Sequence, residues 1–277
     1  MTTAAVLLVV MSAFAHALWN FLAKRAERPE VFTWWMAAAA NVILLPLAVY
    51  LLITETPQPD GWLFLAATWV LHLVYFLTLS RAYRDGDLSL VYPVARGTGL
   101  VMIPIAGVAV LGESVSPPAI AGAAAIVVGI FTLSWWGRFR EVLRSPFKTF
   151  RAPGMAYAVV TGLVIAAYSA VDKRGVDHVT PMLYMFILTT SGSLGLLPII
   201  ARYHAREAFV HEWKVNATTI IAGGLLQFAA YALVLTALQV SRVSYVGPFR
   251  EIGLVFGVLL GTLVLREPFP AGRILGS

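Results

Sequence analysis

The chain has 277 residues, of which 59% are hydrophobic and only 12% charged, with a net charge of +6 and no cysteine; an ordinary soluble domain is roughly 25% charged. That balance excludes a soluble globular enzyme, and the missing cysteine excludes disulfide scaffolds, thiol catalysis and zinc-thiolate sites. The apolar runs show neither a heptad nor a Gly-X-Y period, which excludes coiled coils and collagen, and the basic residues scatter among short loops instead of forming a nucleic-acid stripe.

A helix crosses a hydrocarbon core of about 30 Å with about 20 mostly apolar residues. Nine segments of the chain meet that test: Ala4 to Leu22, Val31 to Ile53, Trp62 to Ser80, Leu88 to Leu111, Ala119 to Trp136, Gly154 to Val171, Pro181 to Ala201, Thr218 to Leu238 and Val243 to Leu265. The first lacks the basic n-region of a signal peptide and carries His16, Trp19 and Asn20, so it reads as a mature helix. Between the fifth and sixth segments, Arg138, Arg140, Arg144, Lys148 and Arg151 flank Pro146 and Pro153. This basic stretch, 138–153, divides the chain into a first unit at 1–137 and a second at 154–277. Fifteen of the 20 Lys and Arg fall in the odd-numbered loops and three in the even-numbered ones. The positive-inside rule then places the odd loops in the cytoplasm and the amino terminus outside.

The two units repeat each other. At a spacing of 154, Arg96, Gly99, Leu100, Val101, Gly107, Val110, Leu111 and Glu113 meet Arg250, Gly253, Leu254, Val255, Gly261, Val264, Leu265 and Glu267. The first and sixth segments align at 149, pairing Trp19 with Tyr168, and the third and eighth align at 156, pairing Tyr75 with Tyr231. Each unit has five helices, an odd number, so the second copy enters the bilayer inverted, as in many secondary transporters. The expected fold class is an all-α polytopic membrane protein built of two inverted five-helix repeats. The mate of the fifth segment starts near Gly272, so the tenth helix is expected to be missing from these 277 residues.

The repeat, Gly-Asp-Leu-Ser-Leu-Val-Tyr-Pro at 86 to 93 and Gly-Glu at 112 to 113 resemble the drug/metabolite transporter superfamily, EamA type. The segments His16-Ala-Leu-Trp19-Asn20, Ala95-Arg96-Gly97 and Ala166-Ala-Tyr168 to Asp172-Lys173 are similar to one bacterial branch of it. The resemblance covers nearly the whole chain. It implies ten helices, a central cavity, alternating access, and export of amino acids or other small metabolites across a bacterial inner membrane. It also implies a cytoplasmic amino terminus, against the loop charges.

Charged residues inside spanning segments are costly and usually face protein or water. Arg96 and Arg250 lie about 11 to 12 Å along their helices, too deep for easy snorkelling. Either each is neutralised by an acid such as Glu251 or Asp172, or both form a guanidinium clamp for a carboxylate or phosphate. Pro93 and Pro248 lie close before them, in positions that break helices at transporter sites. His16, Trp19 and Asn20 share one helical face, as do Thr68, His72 and Tyr75, then Tyr168 and Asp172, then Gln227 and Tyr231. These faces are expected to point inward. Either these faces hydrogen-bond the helices to one another or they line a cavity; in the second case the substrate set is Arg96, Arg250, Trp19, Asn20, Tyr75, Tyr168, Tyr231 and Gln227, and the coupling candidates are His16, His72, Asp172 and Glu251. Trp34, Trp35, Trp62, Trp135 and Trp136 read as interfacial anchors. Gly99 and Gly107, with Gly253, Gly257 and Gly261, lead us to expect the fourth and ninth segments to pack on each other.

No P-loop, zinc motif or Ser-His-Asp order is present in the sequence, so no enzyme, metal or cofactor is expected. The expected partners are a small-molecule substrate and the bilayer, without nucleic acid, and a proton-coupled monomer is compatible with all of this. A structural or assembly subunit is the alternative, ahead of an intramembrane enzyme.

Overall fold

The computed structural model describes residues 1–24, 26–135 and 151–263. The order is α1 (Thr3–Lys24), α2 (Pro29–Thr54), α3 (Pro59–Asp85), α4 (Leu88–Leu111), α5 (Pro117–Trp135), α6 (Met155–Gly175), α7 (Pro181–Thr190), a π turn (Ser191–Gly195), α8 (Leu197–Tyr203), α9 (Arg206–Val240), α10 (Val243–Phe249), a 3-10 turn (Arg250–Ile252) and α11 (Gly253–Leu263). Eight stretches of these helices are long and apolar enough to span a membrane, with α5 a shorter apolar helix beside them. Proline at the first turn starts α2, α3 and α7, where its missing N–H costs nothing. Gly154 has φ 80°, and a side chain there would run into the Ala82 carbonyl and Gly86, so only glycine lets α6 begin against the end of α3.

The sequence repeats are not the packing units. α1 packs on α9 and α11 of the second repeat, while its mate α6 packs on α3 and α4 of the first. Two bundles result, one of α1, α2, α9 and α11 and one of α3, α4, α5 and α6; α7 touches α2, α3 and α9, and α10 bridges to α4. The α1 seam is lined by Ala5, Val9, Ala13 and Ala17, whose small side chains let the backbones approach, and Ser12 Oγ donates to the Ala230 carbonyl at 2.6 Å. Large apolar side chains such as Leu7, Val42, Ile53, Leu63 and Val128 are exposed, as a lipid-facing surface requires.

Five expectations change. α9 starts twelve residues before the apolar run, because Arg206, Glu207, His211 and Lys214 hide a continuing helix from hydropathy. At 35 residues and 1.5 Å each it is about 52 Å long and outreaches the hydrocarbon core. Its first turns carry Phe209 and Trp213 against Trp34 and Trp35, with Trp35 Nε1 donating to the Phe209 carbonyl at 3.0 Å, so these two tryptophans are packed into protein and not simply anchored at an interface.

The seventh segment is interrupted by the π turn over Ser-Gly-Ser-Leu-Gly, a stretch of weak helix formers followed by Pro198. The turn is held by Trp34 Nε1 on the Ser193 carbonyl at 2.8 Å and Asn41 Nδ2 on Ser193 Oγ at 2.7 Å.

The proline expectation holds in one repeat only: α4 runs unbroken through Pro93 and Pro104, whereas the turn after Pro248 tightens to 3-10 at Arg250.

The glycines do not join α4 to the whole ninth segment. Gly99 faces Ile165 of α6, and its mate Gly253 faces Ala13 of α1, so each glycine receives the first helix of the opposite repeat. Gly257 faces open space, and Gly261 lies outside the described side chains. α4 instead meets α10, through Gly107 against Ser244 and Gly247 against Ile103.

Candidate functional site

The repeat brings the two arginines together around one acid. Arg96 Nη1 of α4 donates to Glu251 Oε1 at 3.3 Å, and Arg250 Nε lies 3.9 Å from the same oxygen. The side chains of Arg96, Arg250 and Glu251 are 23%, 14% and 7% exposed, so the carboxylate is the most enclosed of the three. Arg250 Nη2 also donates to the Tyr168 hydroxyl at 3.4 Å, and Tyr92, one turn before Arg96, shares a side-chain hydrogen bond with it. Two permanent cations thus share one carboxylate.

A second cluster lies beyond Tyr168. Its ring packs on His72 with centroids 4.2 Å apart and meets Tyr75 edge-on at 5.8 Å. His72 Nδ1 donates to the Thr68 carbonyl at 3.0 Å, because a carbonyl oxygen only accepts. Thr68 Oγ1 in turn donates to Asp172 Oδ1 at 2.6 Å. The same oxygen accepts from the Tyr184 hydroxyl at 2.8 Å, and Oδ2 accepts from the Tyr231 hydroxyl at 2.6 Å. Asp172 is fully buried, and its hydroxyl donors come from three helices, α3, α7 and α9. Three donors converging on one carboxylate suit its ionised form, which only accepts.

The other expected residues sit nearer the far end of α1. Trp19 Nε1 donates to His16 Nδ1 at 3.2 Å, and His16 is within electrostatic reach of both Arg96 and Arg250. Trp19 also packs on the cluster of Ala23, Phe32, Met36 and Ile220. Asn20 does not join the site: it is exposed and donates to the His16 carbonyl of its own helix at 2.8 Å. Gln227 Oε1 is buried without a hydrogen-bond partner among the described residues.

Sequence reasoning missed Tyr92, Tyr184 and Glu113. Tyr92 was legible as the residue one turn before a buried arginine. Tyr184 had no repeat or face signal, since it reaches Asp172 around the α6 to α7 connection. Glu113 was seen as a repeat mate and as part of the Gly-Glu motif but not as a helix cap, yet its carboxylate accepts from Val243 N at 2.8 Å, Ser244 N at 3.0 Å and Ser244 Oγ at 2.5 Å. It caps α10 across the repeat boundary, which puts an acceptor on orphan amides at that helix start.

Arginines at depth, a caged carboxylate and aromatic rings in mutual contact can bind an anion and move a cation. No curated protein matches this chain. Among solved structures, a crystal structure described only as that of a protein matches with a TM-score of 0.70 at 17% identity, covering 100% of this chain and 93% of the other, a likeness of fold. The two inverted repeats, the multiple spanning helices and a match to the EamA-like transporter family model over residues 3–135 and 152–277 agree, and the chain belongs to that family of multi-pass membrane transporters.

Proposed function

We propose that the protein is a secondary-active carrier that exports small organic anions, amino acids among them, from a bacterial cytoplasm through the inner membrane by alternating access, and is not an enzyme. The observation that carries this reading is the pair Arg96 and Arg250 around the single acid Glu251, with Tyr168 bonded to Arg250. Two guanidiniums against one carboxylate leave a surplus positive charge inside the membrane segments, which a carboxylate or phosphonate offsets. The rings of Tyr75, Tyr168 and His72 supply a wall for the apolar part of such a ligand.

Coupling belongs to Asp172 in this reading. A proton that settles on its carboxylate converts one acceptor oxygen into a donor, and one of the hydroxyls from Thr68, Tyr184 or Tyr231 must then turn away. Those hydroxyls come from different bundles, so protonation loosens the contact between them.

The test is flux of radiolabelled amino acids and aromatic carboxylates in proteoliposomes with and without an imposed pH gradient. Accumulation that follows the gradient supports a proton-coupled carrier; indifference to it removes Asp172 from coupling, and no flux of any anion removes the carrier reading.

A further inference from the structure

The repeat treats the two arginines and the acids Glu251 and Asp172 differently. Arg96 and Arg250 are mates at a spacing of 154, but Glu251 at the same spacing meets Gly97. A side chain on Gly97 would run into the Phe131 ring, which would have to shift to admit one. Asp172 meets Ala23 at the 149 spacing of its helix, and Thr68 meets Gly224 at 156. Ala23 belongs to an apolar cluster with Phe32, Met36 and Ile220, and a side chain at Gly224 would strike the Met36 backbone. Within this site the cations are therefore symmetric, while the acids Glu251 and Asp172 have no acidic mates.

Glu251 is the better enclosed partner, while both arginine side chains keep some exposed surface. Its contacts are a single bond of 3.3 Å to Arg96 and a longer approach of 3.9 Å to Arg250, neither of them the bidentate fork that arginine forms with a committed carboxylate. Each guanidinium retains N–H donors for another anion. The group thus has a net charge of +1 with Glu251 ionised, and one negative charge from a ligand completes it. A second negative charge would sit beside the Glu251 carboxylate without a cation of its own.

We infer that Glu251 is a specificity-determining residue that sets the valence of the substrate: with its charge in place between Arg96 and Arg250, the site accepts one negative charge and rejects two. This rests on the anionic-substrate reading above and adds a feature that reading does not require.

The experiment compares the parent protein with Glu251→Gln in detergent, titrated near neutral pH with L-phenylalanine, 3-phenylpropanoate and phenylsuccinate and followed by calorimetry. The parent is expected to prefer the monoanion 3-phenylpropanoate to the dianion phenylsuccinate. Removing a full charge within about 4 Å of the arginines moves that ratio toward phenylsuccinate by about tenfold or more. Glu251→Asp keeps the charge and is expected to keep the parent ratio; a shift there equal to that of Glu251→Gln overturns the inference, and so does an unchanged ratio in Glu251→Gln. A loss confined to L-phenylalanine also overturns it, since Glu251 would then be a ligand for the ammonium group. Arg250→Ala separates this inference from the reading beneath it. If the parent binds none of the three probes, or Arg250→Ala binds them as the parent does, the anionic site falls with everything built on it. If Arg250→Ala loses them while Glu251→Gln keeps the parent ratio, only the role of Glu251 falls.

Discussion

Tyr231 donates its hydroxyl to Asp172 Oδ2 at 2.6 Å, whereas its repeat mate Tyr75 has Ala23 where an equivalent acid would stand. One tyrosine of the pair meets the Tyr168 ring edge-on, and the other closes a carboxylate cage that joins the two bundles.

That cage makes Asp172→Asn a sharp test. The substitution keeps the volume but turns one acceptor into an NH2 donor facing a hydroxyl that already donates. A buried donor left unsatisfied costs about 1–3 kcal/mol, so thermal stability in detergent is expected to fall and the response to an imposed pH gradient to vanish. Tyr231→Phe removes one bond and is expected to cost about 1 kcal/mol. A variant Asp172→Asn with parent stability and parent gradient response would show that the cage is inert.

Glycine substitutions separate the close approach from the open helix. A side chain added at Gly107 meets Ser244 Oγ and the Glu113 carboxylate, so Gly107→Ala displaces the cap of α10. Losing a helix cap costs about 0.5–2 kcal/mol, and folded yield should drop. At Gly257 nothing lies within 4 Å, so Gly257→Ala is expected to leave stability equal or raise it by up to about 1 kcal/mol through helix propensity. Thermal melts of both variants read the contrast directly.

Much of this arrangement was legible in the sequence, because Arg96 and Arg250 announce themselves by charge within apolar runs and by their equal place in the repeat. What the sequence hid was cross-chain geometry. The swap of α1 and α6 between repeats leaves no periodic trace, and it redirects Gly99 and Gly253 from each other to Ile165 and Ala13. Tyr184 was invisible because its partner lies around a turn, and Asn20 was misleading because its face was judged by spacing while its amide is satisfied within its own helix. The charged start of α9 was missed for a different reason: hydropathy reports the bilayer, and that part of the helix is built for water and for Trp35.

Orientation follows from loop charge and is testable without knowing the substrate. A reporter fused after Arg144, outside the described residues, is expected to be cytoplasmic, and one at Pro57 periplasmic. The reverse at both positions would invert the membrane topology while leaving every contact described above unchanged.

The strongest test of the proposed transport site is at Arg250. Its guanidinium reaches Tyr168 and Glu251 at once, with donors left over for a ligand. Lysine keeps the charge but concentrates it in a flexible point, losing the planar fork that can serve two acceptors together. Alanine loses both, yet Arg96 still holds Glu251, so the acid is not stranded and the fold has no reason to collapse. A charge-assisted hydrogen bond contributes about 1.5–3 kcal/mol, equivalent to roughly tenfold to a hundredfold in kcat/KM, and Arg250→Lys is expected at the lower end with Arg250→Ala at the upper. The same order should appear in the affinity for an aromatic carboxylate and should be absent from the melting temperature. If both variants insert normally and carry substrate at the parent rate, Arg250 serves only to hold Tyr168 and Glu251 in place, and the guanidinium clamp is no part of transport.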